Sequence, residues 1–162
     1  MNVTALPPVN IDEARKFWDR FLATNSELGA LAFPAMVEPF GDSVELANAL
    51  LELVINGPKR ATAGSLVDYE RDALLPKVVV ASIATDGSGL PRAVLRTTDV
   101  RIGPLSSVDE AFAWDEGEGD RTRADWLAMH TRYFERYMPT IGETFSSEMA
   151  TVFERFEVLY SE

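Results

Sequence analysis

The sequence predicts an α+β fold with a small, mostly antiparallel sheet or barrel. Two runs rich in β-branched residues, at 77–85 and 92–102, are joined by "DGSGLP", which indicates a hairpin or short loop. Segments with helical spacing stand before and after these runs. Strands and helices do not alternate strictly, as they would in a fold built from parallel βαβ units.

The N-terminal third of the chain predicts two helices separated by a loop. Asn10 or Asp12 can cap a helix that runs to about residue 26, because apolar residues recur there at helical spacing. Prolines interrupt "LGALAFPAMVEPFGD", which therefore predicts a loop with a short extended piece. Asp42 or Ser43 can cap the second helix, which stops at the Gly-Pro pair 57–58.

The remaining elements are predicted in the order strand, helix, hairpin, two helices and strand. "KRATAGSL" indicates a strand or the start of one, and "LVDYERDAL" a short helix or turn. "SSVDEAFAWDE" and "RTRADWLAMHTRYFERYM" have helical patterns and are separated by the polar, glycine-broken "EGEGD". The closing "TVFERFEVLY" is typical of a strand.

Composition and charge exclude several classes of function. The formal net charge of −11 at pH 7 argues against binding of extended DNA, which requires clustered cations. The chain has no cysteine, so neither disulfides nor thiolate metal sites can form. It shows no signal-peptide pattern and no apolar stretch long enough for a membrane span, so we expect a cytoplasmic protein without a membrane partner.

Known metal and triad motifs are not matched. The single histidine, His130, excludes multi-histidine metal sites, and its helical context indicates a helix-surface or core-edge residue rather than a catalytic base. Glu116, Glu118 and Asp120 alternate as in a calcium loop, but Arg121 stands where such a loop needs glycine. We therefore predict neither a metal nor a cofactor.

Two segments remain as candidates for chemistry, and the first is "NGPKRATAGS". The position after a helix C-terminus alone predicts that Lys59 and Arg60 are solvent-exposed and that their positive charges interact favourably with the helix dipole. A lysine can act as a base only when it is partly buried. Lys59 and Thr62 would lie on opposite sides of an ideal strand, but they can converge if the turn extends to residue 60.

The second candidate segment is the acidic stretch 109–125. Gly117 and Gly119 allow backbone conformations that aim carboxylates into a cleft. Thr122 can cap the following helix, with Asp125 at the capping-box position. Pattern alone favours a solvated acidic loop before a helix, where negative charge is stabilising in any case.

Together, the two segments resemble the ASCH domain family, whose fold is similar to that of the PUA RNA-binding domain. The family motif G-x-K-x-x-T-x-R reads Gly57 to Gly64 here, with Gly64 at the usual arginine position. The "GEGD" segment and the final "FERFEVLY" resemble a bacterial branch of the family. The resemblance implies a small, mixed, mostly antiparallel PUA-like β-barrel flanked by helices. Residues 1–39 would be a lead-in and helix packed on an ASCH domain at 40–162, as one globular unit.

The resemblance also implies an activity. Some small ASCH proteins are amidohydrolases that act on N4-acetylcytidine with a lysine, a threonine and a glutamate. Here the lysine would be Lys59 as the base, and the threonine Thr62 as the nucleophile. The glutamate would be Glu116, with Glu118 as the competing choice. No metal is required, and the residues expected to contact substrate are Arg60, Ser65, Glu118, Asp120 and Trp126.

Two other functions stay open at this point. Other members of the family are reported as ribonucleases or are inferred to bind RNA, and a local basic face could be formed by Lys59, Arg60, Arg92, Arg96 and Arg101. A ligand-binding domain without catalysis is the third hypothesis. The expected partner is a small nucleoside or an RNA, and the formation of a homodimer is left open.

Overall fold

The computed structural model describes residues 5–162, and residues 1–4 of the expected lead-in lie outside this range. The helices are α1 (Ile11–Thr24), α2 (Val44–Ile55), α3 (Leu66–Asp72), α4 (Glu110–Glu116) and α5 (Arg123–Tyr137). The strands are β1 (Val37–Pro39), β2 (Ala61–Ser65), β3 (Ala81–Thr85), β4 (Pro91–Pro104) and β5 (Ala150–Ser161). Within the described residues, every helix is too short or too polar to cross a membrane.

The five strands form one sheet in the order β1-β3-β4-β5-β2. β3 pairs with β4, and β2 pairs with β5, in the antiparallel direction, whereas the short β1 pairs with β3 in the parallel direction. The expected hairpin joins β3 to β4, and its turn is held by Asp86, whose carboxylate accepts the N–H groups of Ser88 and Leu90. The predicted α+β class with a mostly antiparallel sheet is therefore confirmed.

The first of two compact units consists of Met1–Gly57, Lys77–Thr98 and Phe156–Glu162. Asn10 and Ser43 cap its two helices through the backbone N–H groups three residues on. One apolar cluster packs α1 against β3 and β4, with Ala14, Phe17, Trp18, Phe21, Ala81, Ile83 and Val94 buried. A second packs α2 against the same strands and β5, with Leu51, Val54, Ala84, Ala93, Leu95 and Phe156 buried. Burial of the apolar faces of α1 and α2 stabilises both helices.

The second compact unit consists of Pro58–Pro76 and Asp99–Arg155, and it carries the candidate site. Its core packs α4 and α5 against β2 and β5, with Ala61, Leu105, Val108, Phe112, Ala113, Trp126, Phe134, Met138 and Phe153 buried. Asp109 caps α4, and the predicted cap of α5 at Thr122 is confirmed, since its hydroxyl accepts the N–H of Asp125. Asp125 does not complete a capping box, because its carboxylate accepts the N–H of Asp120, and the N–H of Thr122 donates to Asp120. The core and the caps together fix both ends of the acidic loop between the two helices.

The strand predicted at 77–85 begins later than the sequence indicates. β3 starts at Ala81, and Val79 has a φ of +65°, which breaks the extended conformation. The side chains of Val78, Val79 and Val80 are exposed by 50%, 65% and 48%. A β-branched run favours a strand through the packing of its side chains, and these three valines lack that packing in this chain.

Candidate functional site

Lys59 is buried within the second unit. It precedes β2 in an irregular segment, and 1% of its surface is exposed. Its Nζ donates to the backbone carbonyl of Ala61 at 2.8 Å and to Glu118 Oε2 at 2.9 Å, and it lies 3.7 Å from Glu116 Oε1. The interpretation of Lys59 as a solvent charge is therefore wrong, because its ammonium group lies against two carboxyl groups of the acidic loop.

Gly117 allows the acidic loop to approach the backbone of Lys59. It ends α4 with a φ of +70°, and a Cβ atom there would lie 2.8 Å from the nitrogen and 2.9 Å from the Cα of Lys59. The N–H of Arg60 donates to the carbonyl of Asp115 at 2.7 Å and so holds the two segments side by side. This close approach brings the two glutamates that flank Gly117 to the ammonium group.

Gly117→Ala is expected to destabilise the protein more than Gly142→Ala does. Both glycines have positive φ, so both substitutions add backbone strain of about 1–2 kcal/mol. A methyl group at residue 117 would also collide with the Lys59 backbone, whereas nothing lies within 4 Å of that position at residue 142. Denaturant unfolding measures both losses, and equal losses would contradict the close approach of Gly117 to Lys59.

Glu116 is held in place by side chains of α5. Its Oε2 accepts the indole N–H of Trp126 at 2.6 Å, and its Oε1 lies 2.8 Å from His130 Nε2. Burial alone would raise the pKa of Glu116, but the charges of His130 and Lys59 outweigh this effect and hold the pKa well below its ordinary range. Glu116 is thus an ionised carboxylate of which 2% is exposed.

Glu118 has the opposite protonation behaviour. Its side chain is 18% exposed and contacts the ammonium of Lys59. Burial raises the pKa of Glu118 to about 7, with Lys59 opposing the shift and Glu116 adding to it. Both the acid and the carboxylate form are therefore populated near neutral pH. A group with this pKa can accept and return a proton during a reaction.

Thr62 adjoins, through the backbone of β2, the charged cluster that is formed by Lys59, Glu116 and Glu118. The carbonyl that accepts Lys59 Nζ belongs to Ala61, so the ammonium lies against the peptide bond that joins Ala61 to Thr62. Thr62 is half-buried, and it pairs with Glu154 of the neighbouring strand β5. Glu154 is 5% exposed, and no sequence pattern identifies it as a site residue. Among the residues predicted to be catalytic, Lys59 and Glu116 are therefore in contact range and Thr62 lies on the adjoining strand.

The residues expected to contact substrate lie in different environments. Glu118 belongs to the cluster, whereas Ser65 is buried at the far end of β2. Arg60 is exposed, and its guanidinium donates to the preceding backbone carbonyl. Asp120 is also exposed, and its carboxylate accepts both the N–H and the hydroxyl of Thr122. Asp120 therefore shapes the entry to α5.

Trp126 is a residue of the core. It is 2% exposed, and the His130 ring stacks on it with centroids 3.7 Å apart and planes 11° apart. A ring buried in this way holds Glu116 through its N–H and is not presented for stacking on a substrate base. The exposed tryptophan of this unit is Trp114, whose surface is 58% accessible. The Cζ atom of Arg121 lies over its ring, 3.6 Å from the ring centroid.

His130 belongs to the cluster although its sequence context indicates only a helix residue. Its Nδ1 lies 2.9 Å from the carbonyl oxygen of Trp126, and 8% of the residue is exposed. Burial alone would lower the pKa of His130, but the neighbouring Glu116 outweighs it and raises the pKa. The signal that could have found it is the spacing of Trp126, His130 and Phe134, which are four residues apart and form the buried face of α5.

The cluster contains atoms that could ligate a metal. One ligand atom each from Glu116, Glu118 and His130 lie within 4.8 Å of one another. The ammonium of Lys59 contacts both carboxyl groups, so a side chain of the protein provides the positive charge that a metal ion would otherwise provide. This arrangement fits proton exchange better than metal binding, and the expectation that no metal is needed stays a prediction.

The five cations considered for a basic RNA-binding face all have partners within the chain. Lys59 contacts Glu118, and the guanidinium groups donate to the Lys59 carbonyl (Arg60), Glu162 (Arg92), Glu157 (Arg96) and Ser107 (Arg101). Phosphate binding draws on cations that are free to replace counterions. The contacts of these five residues therefore do not support an RNA-binding interface.

The five-stranded sheet with its flanking helices is that of a PUA-like domain. The model of the ASCH domain matches residues 36–160, and the chain belongs to the ASCH domain family. A crystal structure of a DUF984 protein from Enterococcus faecalis V583 is 36% identical, with a TM-score of 0.81 over 92% of this chain and 89% of that chain. The ASCH domain of Lactobacillus crispatus JV V101 is 28% identical, with a TM-score of 0.78 over 92% and 95%. A comparison with curated proteins finds no match.

Gly64 occupies the position at which the family motif usually has arginine. A Cβ atom at this residue would lie 2.5 Å from the ring of Tyr69, which α3 places over the backbone of β2. A longer side chain at residue 64 would therefore have to displace the tyrosine. The departure from the motif is matched by local packing, because the Tyr69 ring fills the space in which an arginine side chain would begin.

Proposed function

We propose that the protein is a metal-independent amidohydrolase that acts on an N4-acylated cytidine-type nucleoside or a similar small substrate. The observation that carries the proposal is the buried ammonium of Lys59, which contacts Glu118 on one side and the peptide bond of Thr62 on the other. Membership of the ASCH family supports it, since some small members hydrolyse N4-acetylcytidine. The net charge of −11 also favours a small ligand over a long polyanion.

Glu118 is assigned to proton exchange in place of Glu116. Both oxygens of Glu116 are engaged by α5, and its lowered pKa makes it a poor proton acceptor. Glu118 lies 2.9 Å from Lys59 Nζ and has a pKa of about 7, so it can exchange a proton with the lysine near neutral pH. Glu116 instead supplies the fixed negative charge that allows Lys59 to be buried.

The proposed reaction proceeds through an ester on Thr62. Ionised Glu118 takes a proton from Lys59, and the neutral amine then takes the proton of the Thr62 hydroxyl as its oxygen attacks the acyl carbon. The carbon–nitrogen bond of the amide breaks, and Lys59 passes the proton to the leaving nitrogen. The acyl group remains as an ester on Thr62. Neutral Lys59 takes a proton from the water that attacks this ester, and that proton restores the Thr62 hydroxyl as the carboxylic acid leaves. Glu118 then returns its proton to Lys59, which restores the starting state.

The nucleophile is tested with Thr62→Ala and Thr62→Ser, and with Thr140→Ala as a control at an exposed threonine. Release of cytidine from N4-acetylcytidine is followed by chromatography. Wild type, Thr140→Ala and, more slowly, Thr62→Ser are expected to release cytidine, whereas Thr62→Ala loses at least about 10²-fold in rate. Undiminished turnover by Thr62→Ala, or no turnover by the wild type, contradicts the proposal.

Binding of single-stranded RNA is measured on the same preparation as a function of salt. The proposal expects no binding whose affinity falls steeply with salt, because the arginines considered for an RNA face are engaged within the chain. A steep negative slope together with absent hydrolysis would favour the RNA-binding alternative.

A further inference from the structure

His130 is buried in the cluster, and the proposed reaction does not use it. It is the single histidine of the chain, and both of its ring nitrogens face hydrogen-bonding oxygen atoms. Nδ1 lies 2.9 Å from the backbone carbonyl of Trp126, and Nε2 lies 2.8 Å from Glu116 Oε1. Its ring is stacked on the indole of Trp126.

These two contacts restrict the protonation state of the ring. A backbone carbonyl can only accept a hydrogen bond, so Nδ1 must carry a proton. A neutral ring protonated on Nδ1 has an unprotonated Nε2, and this nitrogen would face a carboxylate oxygen without a hydrogen between them. The contact is favourable only if Nε2 is also protonated or if Glu116 carries the proton.

The surroundings of Glu116 decide between these two states. Its other oxygen accepts the N–H of Trp126 at 2.6 Å, and the ammonium of Lys59 lies 3.7 Å from the oxygen that faces His130. A donor and a cation both favour the ionised carboxylate. The proton between Glu116 and His130 therefore belongs to the histidine, and the ring carries a positive charge.

We propose that His130 is a positioning residue that stays an imidazolium at neutral pH, fixes Glu116 as a carboxylate, and leaves Glu118 as the carboxyl group that exchanges protons with Lys59. Its charge state rests on the contacts alone, whereas its effect on turnover rests on the proposed hydrolase function. The stacked indole adds a cation–π contact that favours the charged ring. The titratable groups that face this ring are Glu116 at the end of α4 and Glu118 in the loop, with Lys59 beyond them.

The charge of His130 is measured by nuclear magnetic resonance of the imidazole nitrogens in the full chain. Because the chain has one histidine, the ring signals need no assignment by mutation. Both nitrogens are expected to be protonated at neutral pH, with a titration midpoint above the ordinary value of about 6.5. A ring that is neutral at neutral pH, with the proton on either nitrogen, would overturn the inference.

Two variants test the source of the charge. Glu116→Gln is expected to lower the titration midpoint of His130, because the facing carboxylate is lost. Glu118→Gln, which leaves the Glu116 contact intact, serves if the first variant does not fold, and it is expected to lower the midpoint by a smaller amount. Midpoints that stay unchanged in both variants contradict the inference.

Turnover distinguishes this inference from the proposed function. His130→Gln keeps an amide N–H but removes the positive charge, so the pKa of Glu118 should rise. The rate of N4-acetylcytidine hydrolysis should then begin to fall at a higher pH than in the wild type. An unchanged pH profile in an active variant would overturn the positioning role. If the wild type shows no hydrolysis but His130 is charged, the proposed function fails and the charge state stands.

Discussion

Replacement of Lys59 by methionine is expected to lower the rate of N4-acetylcytidine hydrolysis by at least about 10²-fold. Methionine fills much of the same volume but has no amine to take the proton of the Thr62 hydroxyl. The lysine also contacts both carboxyl groups of the loop, so its loss leaves two acids buried beside an apolar side chain. Glu118 should respond by holding its proton more tightly, which removes the carboxylate form that the reaction needs.

Lys77→Met is the matched control, because Lys77 is exposed and belongs to the first unit. It should hydrolyse the substrate at the rate of the wild type. Far-ultraviolet circular dichroism of both variants separates loss of activity from loss of fold. A folded Lys59→Met variant that retains the full rate would contradict the assignment of Lys59 as the base.

Glu116→Gln is expected to lower the free energy of unfolding by about 3–5 kcal/mol, which is typical when one partner of a buried ion pair is removed. The substitution is nearly isosteric, so the loss comes from charge and not from a cavity. Lys59 and His130 would lose the carboxylate that faces both of them, in a site where 1% and 8% of these residues are exposed. Denaturant unfolding at neutral pH measures the effect.

Glu135→Gln is the control for this substitution, since Glu135 is an exposed glutamate of α5. The pH dependence gives a second check. The pKa of Glu116 is lowered in the fold, so its contribution to stability is present above its ordinary value of 4.5 and is lost as the pH falls below that value. The difference from wild type should therefore shrink in strong acid. A loss no larger than that of Glu135→Gln would contradict a buried, ionised Glu116.

Most of the fold could be predicted because local patterns and burial agree. The stripe that begins at Ala14 identifies α1, and caps such as Ser43 place helix starts to within a residue or two. The prediction failed where local preference and burial disagree, as at the exposed Val78, Val79 and Val80. Their side chains favour a strand, but the chain turns at Val79 and leaves them in solvent.

The candidate site was predictable only in part. The motif around Lys59 and the glycines of the acidic loop indicate chemistry, but no local rule states that residues 59 and 118 touch. Their contact depends on tertiary packing, which includes the approach of Gly117 to the Lys59 backbone. The sequence does not place His130 in the site, because a helical pattern does not distinguish an exposed face from a buried one until the partner strand is known. The division of the chain at residue 39 stays a prediction.

Proton exchange between Glu118 and Lys59 is tested by the pH dependence of N4-acetylcytidine hydrolysis by the wild type and by Glu118→Gln, after subtraction of the uncatalysed rate. Because Glu118 must be ionised to accept the proton of Lys59, the wild-type rate should rise as the pH increases through about 7, the pKa of Glu118. Glu118→Gln should be slow and lack this rise. A wild-type rate that is equal on both sides of this pH, or a Glu118→Gln variant that keeps both the rate and the rise, would contradict this role of Glu118.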